Sequence, residues 1–94
     1  MIMEWEDYIQ MGLNGKAPLK IIVCGSIECA QEGKIGVVSV VYVTTDRDAA
    51  EQKVRKLAAA NPEHYYMVYS VPLDTDLTQL PHYPSIEIVK SDLA

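Results

Sequence analysis

The side chains best suited to chemistry sit together in PLDTDLTQLPHYP, residues 72–84, where Asp74, Asp76, His82 and Tyr83 are spread among three prolines. An imidazole near a carboxylate is the minimum for general-base chemistry, and loops on a rigid scaffold commonly carry function. His82, between Pro81 and Pro84 and beside Tyr83, is the candidate base or hydrogen-bonding group, with Asp74 or Asp76 as its acidic companion. The spacing limits other uses. Asp74-x-Asp76-x-Thr78 begins like a calcium loop, but Gln79 and Ser85 stand where that loop requires a glycine and an acidic residue. The competing role for both aspartates is local, in Asx turns and a helix cap.

No nucleophile is marked. There is no serine in a strained elbow, and neither Cys24 nor Cys29 has a histidine nearby in sequence. CGSIEC is neither the CxxC of a redox helix nor half of a zinc site, so both cysteines read as small side chains on a strand. Gly25-Ser26 lacks the glycine spacing of a phosphate-binding loop. No catalytic residue, cofactor or metal is therefore assigned.

Tyrosine is the more distinctive signal. Tyr42, Tyr65, Tyr66, Tyr69 and Tyr83 fall in the second half of the strand-rich region, and the chain has no phenylalanine. A ring carrying a hydroxyl suits a half-wet surface or a subunit interface better than a dry core. Trp5 adds an aromatic group at the N-terminal end.

These residues need a scaffold, and 34–71 supplies its clearest part. KIGVVSVVYVTT is β-branched with both alternating sets largely apolar, which predicts a central strand covered on both faces. Thr44, Thr45 and Asp46 offer N-cap oxygens, and Ala50, Val54, Leu57 and Ala58 recur at helical spacing, predicting a helix over 46–61 that stops before Pro62. Residues 64–71 alternate as a further strand.

Upstream, 4–13 predicts a short helix with Trp5, Tyr8 and Ile9 on one face, ended by Gly12 and Gly15. Too short to persist alone, it must dock, and the side of the sheet left open by the main helix is the expected place. Residues 19–29 read as a strand with a bulge at Gly25-Ser26, joined by a tight turn at 31–34 to the next strand. Leu77 and Leu80 fit one inward-facing helical turn, and 85–90 reads as a short edge strand.

The expected fold is α+β: a two-layer, or three-layer, single domain over 1–94 with a four-stranded antiparallel or mixed sheet, in the order α-β-β-α-β-β. One helix with alanines at half its contact positions leaves a sheet face to be covered, by the N-terminal helix or by a second subunit.

The 94 residues carry a net charge of −5, with acidic ends and a middle, 34–62, that holds five basic against three acidic side chains. That balance disfavours nucleic acid. No apolar run reaches the roughly 18 residues of a membrane span, and the acidic start lacks a signal peptide's pattern, so the cytoplasm is expected. The reading favours a non-catalytic binding protein, a homodimer through a tyrosine-bearing sheet face. Its rival is a small enzyme or ligand-binding domain built on 72–84.

Overall fold

The computed structural model describes residues 4–31 and 33–80. Within them the chain forms α1 (Trp5–Leu13), β1 (Leu19–Ala30), β2 (Gly33–Thr44), α2 (Arg47–Ala60), β3 (Tyr65–Val71) and a single 3₁₀ turn (Leu77–Gln79). The fold is α+β, with two helices and a three-stranded antiparallel sheet in the order β2-β1-β3. The fourth strand expected over 85–90 lies outside the described residues.

α2 forms where its caps and period place it. The Asp46 carboxylate accepts from the backbone N–H groups of Asp48 and Ala49 at 2.9 and 3.3 Å, satisfying two donors that the first helical turn leaves free. Ala50 and Val54 are fully buried, with Leu57 and Ala58 packed beside them. The helix ends at Asn61, before Pro62, as the ring of that proline demands.

The sheet departs from expectation in which strand is central. Among the described residues β1 takes the middle, paired to β2 on one side and β3 on the other, and the valine-rich strand stands at the edge. A β-branched run satisfies either position locally, and tertiary pairing decides between them. Because β2 and β3 are each antiparallel to β1, they run parallel to each other, and α2 carries the chain from one side of β1 to the other.

The bulge also lies elsewhere. Gly25 and Ser26 are in regular register, while Ile22 faces Tyr42 and Val23 faces Val40, leaving Val41 as the extra residue in β2. One inserted residue reverses the alternation on its far side. Ile35, Val37, Tyr42 and Thr44 thereby share the helix face with Ile22 and Cys24, and Val38, Val40 and Val43 share the opposite face with Ile21 and Val23. Strict alternation, which would put Val37 and Val43 on one face, fails for this reason.

α1 docks, but beside α2 rather than across the sheet from it. Ile9 and Leu13 join Ile22, Cys24, Ala50, Val54, Tyr66 and Val68 in the main core. Its buried stripe runs through Trp5, Ile9, Gly12 and Leu13, while Tyr8 faces outward. Gly12 does not end the helix: it lies inside α1 at the point of closest approach to β3. The other face of the sheet holds a smaller cluster, Ile21, Val23 and Val71, onto which Leu77 of the 3₁₀ turn packs with Leu19 and Tyr69. Of the inward turn expected with Leu77 and Leu80, the turn is present and Leu77 packs inward, covering part of the face that the helices leave open. At the β1–β2 turn, Gly33 takes φ +124°, a left-handed value suited to glycine.

A polar network ties the helices to each other. Glu51 accepts from Arg47 at 2.9 Å, and from Arg55 and Gln10 at 3.0 Å each. Arg55 also pairs with Glu6, and Arg47 bonds Gln10 and Asn14. Hydrogen bonds from Arg55, then Arg47 and Gln10, hold the Glu51 carboxyl at about 2, below its ordinary 4.5. A carboxylate whose folded pKa is depressed stabilises the fold fully above its unfolded pKa, and that contribution drains as pH falls through the folded one. Stability should thus decline between pH 4.5 and about 2. Urea midpoints across this range should show a shallower decline in Glu51→Gln than in wild type, and equal slopes would remove the network from the account.

Candidate functional site

The acidic residues of 72–84 are used locally. Asp76 caps the 3₁₀ turn, accepting from the Thr78 backbone N–H at 3.0 Å and its hydroxyl at 2.6 Å, and these bonds, the hydroxyl first, lower its pKa. Asp74 is exposed and holds a left-handed turn with φ +52°, a conformation aspartate tolerates better than most residues. His82 and Tyr83 lie outside the described residues. Cys24 is buried on the helix face, and the free Cys29 is exposed on the opposite face, five residues along β1. At ~3.3 Å per residue the two are about 16 Å apart, beyond disulfide reach.

The tyrosines divide between the two faces. Tyr66 is buried beneath the helices, and Tyr42 lies on the same face with Lys53 Nζ 5.6 Å from its ring centre. Tyr65 and Tyr69 belong to the register of the other face, where Tyr69 packs on the smaller cluster and Tyr65 is half exposed.

Two features with the character of a binding site emerge. One is a cleft of about 340 Å³ lined by Trp5, Ala58, Pro62, His64, Tyr65 and Tyr66. It forms where three element ends meet: the first turn of α1, the last turn of α2 and the start of β3. Trp5 is fixed there because its indole Nε1 donates to the Tyr66 carbonyl at 2.7 Å. His64 Nδ1 lies 3.4 Å from the Tyr66 hydroxyl with ring centres 6.2 Å apart, and its Nε2 is 3.7 Å from the Glu63 carboxylate. Burial raises the Tyr66 pKa, and the adjacent Cys24 thiol adds to the effect. That keeps its hydroxyl neutral.

The second feature is the outer side of β2. Val38, Val40 and Val43 stand on the face away from the helices at 48, 61 and 53 % exposure. Lys34 is the strand's only charged side chain. The opposite edge is protected, since α1 lies along β3 with Trp5 bonded to the Tyr66 carbonyl and Gly12 against the Val68 carbonyl. Among the described residues β2 has no strand on its outer side. Past Gly25 the β1–β2 hairpin also outruns β3, so its end is paired on neither side within these residues.

Trp5, Tyr65 and Tyr66 are legible as candidates from their type. Ala58, Pro62 and His64 are not: Pro62 reads only as a helix stop, and no period links 5, 58 and 64. No helix among the described residues is long and apolar enough to cross a membrane. Comparison with models of protein families, with curated proteins and with solved structures finds no match.

Proposed function

We propose that this chain acts by binding, without catalysis, and that its first partner is a second copy of itself joined along β2. The observation that carries this reading is an edge strand with three exposed valines on one face and a single charge in its length. Soluble proteins usually blunt such an edge with charge, proline or a covering element. Among the described residues α1 covers one edge of the sheet, and the other is left apolar.

A second copy is the favoured occupant for reasons of symmetry and charge. An antiparallel pairing of β2 with itself is related by a twofold axis, so one apolar strip serves both partners. The strip also falls in the part of the chain that is not acidic, which keeps the −5 charge of each copy away from the join. Tyr65 and Tyr69 share the same sheet face and would flank the apolar surface. Of the two acidic companions in the alternative centred on His82, Asp76 is engaged as a cap and Asp74 is exposed.

Sedimentation velocity at micromolar concentration tests the reading. Wild type should sediment at twice 10.5 kDa, and Val40→Lys at the monomer mass with an unchanged far-ultraviolet spectrum. A wild-type protein that remains at 10.5 kDa removes the proposal.

A further inference from the structure

We propose that the cleft between α1, α2 and β3 binds a small organic cation of the quaternary ammonium class, a site separate from the β2 edge. The wall is aromatic and aliphatic, built from Trp5, Tyr65, Tyr66 and His64 with Ala58 and Pro62. Two of its polar groups are already matched within the protein. The Trp5 N–H is committed to the Tyr66 carbonyl, and His64 Nδ1 faces the Tyr66 hydroxyl. A ligand that needs strong directed hydrogen bonds gains little from such a wall. A methylated ammonium needs none, and electron-rich ring faces attract its charge.

Charge selects among ligands of that size. Among the described residues no lysine or arginine lines the cleft. Glu63, whose side chain is 70 % exposed, stands beside His64 at its rim, and Glu4 immediately precedes Trp5. An anion would meet the Glu63 carboxylate at the rim, whereas a cation gains from both the rings and that carboxylate. A volume of about 340 Å³ is at the small end of ligand sites, which suits a compact head group rather than an extended molecule.

Trp5 is the chain's single tryptophan and reports directly on the cleft. The test titrates the intact protein with choline and tetramethylammonium at matched ionic strength, and with neohexanol, the uncharged carbon isostere of choline. Both cations should shift Trp5 emission saturably, with neohexanol about tenfold weaker, the factor expected of a cation–π contribution near 1.4 kcal/mol. Glu63→Lys should weaken choline several-fold and leave neohexanol unchanged, and Ala58→Leu, which fills the cleft while keeping every ring, should block both. Equal binding of choline and neohexanol would overturn the proposal in favour of a neutral apolar site. Absence of a saturable change up to about 100 mM, far above the millimolar range of weak binding, would overturn it outright.

Discussion

Gly12→Ala should destabilise the protein by about 3 kcal/mol and release α1 from β3. A Cβ at this position would lie 1.9 Å from the Val68 carbonyl oxygen and 2.6 Å from its carbon, both backbone atoms of the sheet. Neither can rotate away as a side-chain tip could, so the helix must lift. Lifting it withdraws Ile9 and Leu13 from the core and breaks the bonds from Trp5 to Tyr66 and from Ser70 to the Gly12 carbonyl. Losses of this kind are worth ~2–5 kcal/mol, against a total stability for a small domain of ~5–15 kcal/mol. An opposing effect has the other sign: alanine in a helix interior is favoured over glycine by about 1 kcal/mol. The steric term is the larger, so the net change is a loss. Urea denaturation followed by Trp5 emission measures both consequences, a lowered midpoint and a red-shifted native spectrum. A gain of about 1 kcal/mol with unchanged emission would mean that propensity alone operates and that α1 does not touch the sheet at Gly12.

That prediction turns on a glycine whose sequence context suggests a different role. Near the end of a short helical pattern, glycine signals a stop, and nothing local distinguishes it from a glycine needed for close packing. α2, in contrast, was legible throughout, because cap, period and stop are all encoded within its own 14 residues and its neighbours. The strands fall between these cases. Their existence follows from β-branched runs, but the position of β2 at an edge is a property of pairing with β1. Val41 then shows how one local irregularity defeats a period-two reading: the side chains before and after it exchange faces, and no residue type in VVSVVYV marks where this happens. The cleft was the least legible feature. Trp5, Ala58 and His64 meet through the docking of α1 beside α2, which sequence periodicity leaves undetermined, since either sheet face could have received the first helix.

Lys20→Met should cost about 2–4 kcal/mol, because Lys20 is a buried cation that organises the segment before β1. Its alternation with Ile22 and Cys24 places it on the helix face, where it is only 6 % exposed. The Nζ donates to the Gly15 and Ala17 carbonyls at 2.7 and 3.0 Å and to the Ser70 hydroxyl at 2.6 Å. Ser70 in turn donates to the Gly12 carbonyl, so one ammonium links α1, the loop after it, β1 and β3. Methionine keeps most of the apolar stem and removes the desolvation cost of a buried charge. Replacing a buried charge with an apolar group can be neutral when its partners are replaced too. Here the partners are backbone carbonyls that remain, and each buried acceptor left without a donor costs ~1–3 kcal/mol. The penalty therefore exceeds the relief. A cycle with Ser70→Ala separates the contributions: the two changes share a hydrogen bond, so the double variant should lose at least ~0.5 kcal/mol less than the sum of the singles. Chemical denaturation of the four proteins decides it. If Lys20→Met matches wild type, the carbonyls of Gly15 and Ala17 find water instead, and the ammonium is a passenger rather than the link between helix and sheet.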